Sequence, residues 1–211
     1  MLSDLHCRVT VCDISEVQLR LHERYSRKIG FDTAVDGRLV SDICDMHSLT
    51  SGEYDAVIAY GGPLSYVFDK AQDALGECVR VCKPGGHVLA SVMSKWGACH
   101  KFLNSILDVP VERNRTITDT GDLHPENWDG AVHRCHMFTA SELHHLFKMS
   151  TLEAIVLSAA NCISVTHDDS LAELEVDSDK WNELLRMELA ACAEAGCLDM
   201  GTHIIAVGQK Q

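Results

Sequence analysis

The segment His133-Arg-Cys-His136-Met-Phe-Thr139 contains the side chain best suited to proton transfer in this sequence. Imidazole exchanges protons near neutral pH, and His136 lies just before Thr139-Ala-Ser-Glu142, a capping-box pattern that opens a helix. His136 is therefore a candidate catalytic base or substrate contact, with a half-buried structural histidine as the alternative. Zinc binding by the two histidines and the cysteine of this segment lacks a usual ligand spacing and an evident fourth ligand, so we expect no metal.

Acidic side chains follow two predicted strands. Asp13 comes directly after the β-branched run Arg8–Cys12, where a carboxylate can accept hydrogen bonds from both hydroxyls of a ribose. The alternative for Asp13 is the N-cap of the next helix. Asp42 and Asp45 follow a weaker strand and can accept from an exocyclic amine, although aspartate is also common in ordinary turns.

The segment Tyr60-Gly-Gly-Pro-Leu-Ser-Tyr66 follows a third strand. Paired glycines let a ligand or another backbone approach closely, and the proline fixes the exit of the chain. A tight turn alone does not require tyrosines on both sides. Tyr66 is the second candidate catalytic side chain. Together with Trp96 and Trp128 it is also a candidate aromatic wall for a substrate, with plain packing as the alternative.

Strands and helices alternate along the chain, which predicts an α/β fold with a doubly wound, mostly parallel sheet in a single domain over 1–211. The predicted strands are 8–12, 38–41, 54–60, 87–93, 151–160 and 202–207, and the predicted helices are 15–29, 70–82, 98–107, 139–149 and 179–195. In such sheets ligands bind beyond the carboxyl ends of the strands. The polar, irregular stretch 108–134 is long for a structureless connection, so we interpret it as a lid-like loop.

Composition narrows the class of partner. The formal net charge of −13 opposes nucleic acid and favours a small-molecule substrate. The sequence contains no uncharged apolar run of the roughly 18 residues that span a bilayer, so we expect no membrane partner. The ten cysteines have no framework spacing and several lie in apolar segments, which is typical of reduced thiols in a cytoplasmic protein.

Four strand-end motifs occur in a recognisable order. They are Val11-Cys-Asp-Ile-Ser15, Asp42-Ile-Cys-Asp-Met46, Tyr54-Asp-Ala-Val-Ile-Ala-Tyr-Gly-Gly62 and Val81-Cys-Lys-Pro-Gly-Gly-His-Val-Leu89. This ordered set resembles the class I S-adenosylmethionine-dependent methyltransferases, and Gly201–Val207 resembles their last strand. The resemblance implies a Rossmann-like sheet of strand order 3-2-1-4-5-7-6, with an antiparallel last strand and S-adenosylmethionine as the cofactor.

The resemblance also implies which residues contact that cofactor. The implied contacts are Asp13 at the ribose hydroxyls with Ile14 beside it, Asp45 and Met46 at the adenine, and Tyr60 and Gly61 at the methionine end. The family's Gly-x-Gly-x-Gly loop has no counterpart before Arg8, since Gly30 is the first glycine of the sequence. We therefore expect an N-terminally truncated domain. Its flanking strands pair directly, or a homodimer or partner chain completes the sheet, or the sequence is incomplete.

Three functions follow from these observations. The first is methyl transfer to an oxygen or nitrogen of a small-molecule acceptor. The second is a degenerate methyltransferase-like protein that binds no cofactor and acts as a partner subunit or regulator. The third is a cofactor-independent isomerase or cyclase on the same fold, with His136 and the tyrosines as acid and base.

Overall fold

A computed structural model of the chain describes residues 7–126 and 134–211. The contacts divide the chain into two compact units, Met1–Thr50 and Ser51–Gln211. The single domain expected over 1–211 stays a prediction. Strand pairing accounts for the division, because each sheet is formed by strands of one unit only. We describe the two units separately.

The first unit is a βαβ arrangement. Strand β1 (Val9–Asp13) and strand β2 (Val35–Val40) pair in parallel, and helix α1 (Glu16–Lys28) connects them. Ser15 caps α1 by accepting a hydrogen bond from the N–H of Gln18, and Gly30 follows the helix with a φ of +75°.

Helix α1 buries little of its apolar pattern. Leu19 is buried, whereas Val17, Leu21 and Tyr25 are exposed. These three side chains recur every four residues and share one face of the helix. The face is therefore apolar and open to solvent.

The second unit is built on a four-stranded sheet. Its strands are β3 (Tyr54–Ala59), β4 (Cys82–Met93), β7 (Leu152–Ala159) and β8 (His203–Lys210), in the order β3-β4-β8-β7. Strands β3 and β4 are parallel, and β8 is antiparallel to both β4 and β7. The predicted fold class and antiparallel last strand are confirmed. Strand 1 of the implied order, which lies between strands 2 and 4, has no counterpart among the described residues.

Helices and a two-stranded ribbon complete this unit. The helices are α2 (Pro63–Tyr66), α3 (Ala71–Val81), α4 (Lys95–Lys101), α5 (Leu103–Leu107), α6 (Val111–Thr120), α7 (Ala140–Met149), α8 (Asp168–Ala172) and α9 (Asp179–Ala191), and the ribbon consists of β5 (Asp122–Leu123) and β6 (Cys135–His136). The predicted capping box is present, because Thr139 and Glu142 each bond to the other's backbone N–H. In the described part of the chain no helix is long and apolar enough to cross a bilayer.

The lid-like loop predicted over 108–134 is wrong for part of that range, because it contains α6 and β5. Pro110 precedes the first turn of α6, and Gly121 ends the helix with a φ of +81°. Only Ile117 of α6 is buried, where it packs with Cys135 and Met137. The sequence of the helix therefore has little of the apolar periodicity from which a helix is predicted. Residues 127–133 lie outside the described residues.

The carboxylate of Glu188 fastens helix α9 to the loop that follows β7. Its two oxygens accept hydrogen bonds from the backbone N–H groups of Cys162, Ile163 and Ser164, at 2.8–3.2 Å, and from the Ser164 hydroxyl. Burial raises the pKa of Glu188, but these hydrogen bonds outweigh it and lower the pKa to about 2. The loop is therefore held by a charged acceptor.

We expect Glu188→Gln to destabilise the protein by about 1–3 kcal/mol at pH 7, because an amide cannot satisfy all of these donors. The folded pKa of about 2 lies below the ordinary value of 4.5, so the stabilisation is present above pH 4.5 and is lost as pH falls towards 2. Denaturant unfolding from pH 7 to pH 2 measures both effects. The control is Glu183→Gln on the same helix, which removes an exposed ion pair with Arg186 and should change little. An equal loss in both variants would contradict this role.

Candidate functional site

In the second unit the candidate site lies at the carboxyl edge of the sheet. Strands β3, β4 and β7 run in the same direction, since β8 is antiparallel to β4 and β7 while β3 is parallel to β4. Their carboxyl ends therefore meet at one edge, where open α/β sheets bind ligands. The predicted residues after β3 lie at this edge.

Two serine hydroxyls hold the turn after β3. Gly61 donates its N–H to Ser91 Oγ at 2.9 Å, and the N–H of Met93 donates to Ser65 Oγ at 2.9 Å. Gly61 has a φ of +89°, a conformation that favours glycine. Apart from Gly61 and its two chain neighbours, no described residue has an atom within 4 Å of the position that a Cβ on Gly61 would occupy, and Tyr60 is 49% exposed. The backbone here is anchored on one side and open on the other.

Tyr66, at the end of α2, packs over this turn. Its ring lies 3.8 Å from the position of a Cβ on Gly62. Burial, and to a lesser extent the nearby Cys135, raises the pKa of Tyr66. The hydroxyl is therefore a hydrogen-bond donor at neutral pH and not a phenolate base.

His136 is paired with an acid that the sequence analysis did not identify. Its Nδ1 lies 2.7 Å from Oδ1 of Asp122, and the two residues are directly opposite each other in the β5–β6 ribbon. The imidazole also meets the ring of Phe138 edge-on, with 4.5 Å between centroids. When Nδ1 carries the proton for Asp122, Nε2 is left as a proton acceptor. This arrangement is that of a histidine general base with an orienting carboxylate.

Gly121 makes the Asp122–His136 contact possible. A Cβ on Gly121 would lie 2.5 Å from the carbonyl oxygen of Met137 and 3.1 Å from Cε1 of His136. Only glycine fits such a close approach. The Thr-Gly-Asp sequence at 120–122 is the local signal for this turn. It was missed because it lies within the stretch 108–134, which was interpreted as an irregular loop.

The two predicted catalytic side chains lie on adjacent elements, because α2 contacts β6 and Tyr66 lies close enough to Cys135 for its pKa to respond. Cys135 itself is buried, and burial together with the charge of Asp122 raises its pKa to about 11. A thiol with that pKa is a poor nucleophile at neutral pH. Of these side chains, His136 is therefore the one suited to proton transfer.

In the first unit the predicted adenosine-binding residues lie at the carboxyl ends of β1 and β2. Asp13 pairs with Val40 in the sheet register, and its Oδ1 accepts the N–H of Ser15 at 2.7 Å. Ile14 is 72% exposed. A cavity of about 350 Å³ opens beside Asp13, with Tyr25 in its wall. The Asp13 carboxylate thus lines a small cavity, and Ile14 follows it in the sequence.

The second predicted acidic motif forms a compact turn. The N–H of Asp45 donates to the carbonyl of Asp42, and Asp45 Oδ1 lies 3.1 Å from Nδ1 of His47. The side chain of Met46 is buried, so it belongs to the packing of this turn. Asp42 and Asp45 are both exposed.

The remaining candidates are placed as follows. Trp96 is half exposed, and the Lys95 ammonium lies 5.4 Å from its ring centroid. Trp128 and His133 lie outside the described residues. In the part of the chain that is described, no cluster of histidine, cysteine and acidic side chains is arranged to hold a metal.

Comparisons with known proteins agree with this architecture. Residues 1–90 match the family model described as "Methyltransferase domain". No curated protein matches the sequence significantly. Among solved structures, a methyltransferase from Methanosarcina mazei has a TM-score of 0.60 and 16% identity, covering 99% of this chain and 84% of that one. A methyltransferase from Thermotoga maritima has a TM-score of 0.55 and 15% identity, covering 96% and 72%.

A third solved structure, the [4+2]-cyclase SpnF, has a TM-score of 0.54 and 19% identity, covering 97% of this chain and 67% of that one. At these identities the structures define the fold and not the activity. The predicted resemblance to the class I methyltransferases is confirmed, by sequence over residues 1–90 and by fold over nearly the whole chain.

The conformation of Gly61 leads to a paired test. We expect Gly61→Ala to destabilise the protein by about 1–2 kcal/mol, because its positive φ is strained for a residue with a Cβ although the space is free. Gly76→Ala, on the exposed side of helix α3, also meets free space and should stabilise by about 0.5–1 kcal/mol. Denaturant unfolding measures both. Changes of the same sign would show that the turn does not hold Gly61 in this conformation.

Proposed function

We propose that this chain is a cytoplasmic S-adenosylmethionine-dependent methyltransferase that acts on an oxygen or nitrogen of a small molecule. The observation that supports this function most directly is the Asp122–His136 pair, which lies beside Tyr66 near the carboxyl edge of the sheet. The methyltransferase family model and the fold agree with it. The negative charge of the chain favours a neutral or cationic acceptor over a polyanion.

The predicted contact residues suit the parts of this cofactor. Asp13 uses Oδ1 for Ser15, which leaves its other oxygen for a ribose hydroxyl, and Ile14 offers exposed apolar surface to an adenine. We assign Asp45 and the backbone of Met46 to the adenine. Tyr60 and Gly61 suit the methionine end, because the tyrosine is exposed and the glycine backbone is open to close approach. When bound, the cofactor supplies a methyl group on a sulfonium.

In the proposed mechanism His136 removes the proton from the acceptor atom. Nε2 accepts that proton, and the Asp122 carboxylate stabilises the imidazolium that forms. Tyr66, which stays protonated, donates a hydrogen bond that orients the acceptor. Because Gly121 holds Asp122 against the imidazole, the base is oriented before the substrate arrives.

Cofactor binding is tested by calorimetric titration of S-adenosylmethionine. We expect saturable heat, and we expect Asp13→Asn to weaken the affinity roughly 10-fold or more, because it removes a charged acceptor while keeping the amide oxygen for Ser15. Asp73→Asn, on the exposed side of α3, is the matched control and should leave the affinity unchanged. Absence of heat at millimolar cofactor from folded protein would refute the proposal.

Catalysis is tested by methyl-transfer assays over a panel of small alcohols, phenols and amines. With an acceptor that is methylated, His136→Ala should lower kcat about 10²–10⁴-fold without weakening the cofactor titration. Asp122→Asn should cause a smaller loss, because the base stays in place but its imidazolium is less stabilised. His145→Ala, exposed on α7, is the control and should behave as wild type. Full activity in His136→Ala would mean that this histidine is structural.

A second candidate function is that of a partner subunit or regulator without cofactor binding. It is favoured by open sheet edges, among them β1 and β3: in the described residues β1 pairs only with β2, and β3 pairs only with β4. Unpaired edges of this kind can add a strand from another chain, as a homodimer or with a different partner. A cyclase on the same fold is a third candidate, and a product that forms equally well without cofactor would distinguish it from a methyltransferase.

A further inference from the structure

A cavity of about 640 Å³ lies in the second unit between helix α8, the segment 173–178 and helix α9. We propose that it binds a small apolar molecule with a neutral or cationic head group. The cavity lies outside the Asp122–His136 cluster. Ligand binding in it therefore does not depend on whether the protein transfers a methyl group. Its volume falls within the range of about 300–1,000 Å³ that is typical of small-molecule sites.

One wall is the apolar stripe of helix α9. The stripe consists of Trp181, Leu184, Leu185, Leu189 and Cys192. Spacings of three and four residues put these side chains on a single face of the helix. None of them is buried, and Leu189 is 76% exposed. A helix that turns its apolar face towards a cavity leaves surface that a ligand would remove from water.

The opposite wall is also apolar. Leu171 and Leu174 come from α8 and the turn after it, and Val176, which is 63% exposed, lies at the cavity lining. A bound molecule would therefore contact hydrocarbon on both sides. A flat protein partner would instead need about 800 Å² on each surface for a stable complex. The space between the two walls is open to solvent, and its volume suits a small molecule.

The polar end of the cavity is already rigid. Its loop, residues 160–164, follows β7 at the same sheet edge as the candidate site and is fastened by the hydrogen bonds to Glu188. Asn161 packs closely on Gly201, because a Cβ on Gly201 would lie 2.0 Å from the carbonyl oxygen of Asn161. A preformed site of this kind loses little freedom when it binds.

Electrostatics select the head group. Among the described residues the lining contains two carboxylates, Glu188 and Asp168, and no lysine or arginine. Glu188 is satisfied by the loop, and Asp168 bonds to the ammonium of Lys101 at 2.5 Å. The amide of Asn161 makes no hydrogen bond to the described residues, so it can donate to and accept from a ligand. Because Lys101 balances the charge of Asp168, Glu188 is the carboxylate that disfavours an anionic head, whereas a hydroxyl or an ammonium is compatible.

The test uses 1-alkanols from hexanol to decanol as probes of the full chain, with tryptophan fluorescence as the readout because Trp181 lines the cavity. We expect saturable changes whose apparent affinity rises about fourfold per added CH₂ until the cavity is full. The change should disappear in Trp181→Phe. Absence of a saturable change in the folded wild type, up to the solubility of each alcohol, would overturn the proposal.

Two comparisons locate the site and its charge preference. Ala172→Phe adds a ring inside the lining and should weaken decanol binding at least 10-fold, whereas Ala193→Phe, exposed and outside the lining, should not. Decyltrimethylammonium should compete with decanol, and decanoate should compete least. Equal binding in both phenylalanine variants, or preferred binding of decanoate, would contradict the assignment. A dimer that Leu189→Lys dissociates, with no alkanol binding by the wild type, would replace the ligand with a second copy.

Discussion

The larger unit depends on strand β8, which runs antiparallel between β4 and β7. Its hydrogen bonds cover Met93↔His203 to His87↔Gln209 on one side and Leu152↔Lys210 to Ala159↔Ile204 on the other. This single reversed strand makes β4 and β7 point the same way although they are not neighbours. The carboxyl ends that carry the candidate site and the end of the apolar cavity therefore face the same edge.

Small side chains fix the details of that edge. Ser65 and Ser91 are fully or nearly fully buried, and each accepts a backbone N–H of the turns around β3 and β4. A buried donor without an acceptor costs about 1–3 kcal/mol, so each hydroxyl restricts the turn that it serves. Gly121 acts differently, since it permits a contact that any side chain would block. Hydroxyl acceptors and the absence of a side chain together position His136 and Gly61.

Two carboxylates of this unit illustrate how surroundings decide the role of a residue. Asp122 faces an imidazole that can change its charge, so its acceptor strength is available to stabilise a proton on that ring. Glu188 faces backbone N–H groups and a hydroxyl that do not change charge, and its pKa falls to about 2. The first arrangement is suited to proton transfer. The second is suited to holding a loop, and it makes the neighbouring cavity rigid.

Much of the architecture followed from local pattern. Strands β1, β3, β7 and β8, the part of β4 from His87 onward and the capped helix after Thr139 were predicted, because alternation of apolar residues and helix-end signals are properties of short segments. Helix α6 was missed, since a single buried residue gives it almost no periodicity. Helix α1 was predicted, but its apolar residues are mostly exposed, because burial depends on what packs against a helix.

The same division holds for the site. The sequence alone determined the types of the strand-end residues and their order, which is enough to identify His136, Tyr66, Asp13 and Gly61 as candidates and to give the fold class. Only the tertiary structure decided which of them have partners. Asp122 lies fourteen residues from His136 and meets it only through the β5–β6 ribbon, and Glu188 meets Ser164 across twenty-four residues. Such pairs are set by strand register and by the space that Gly121 leaves open, which no local pattern encodes.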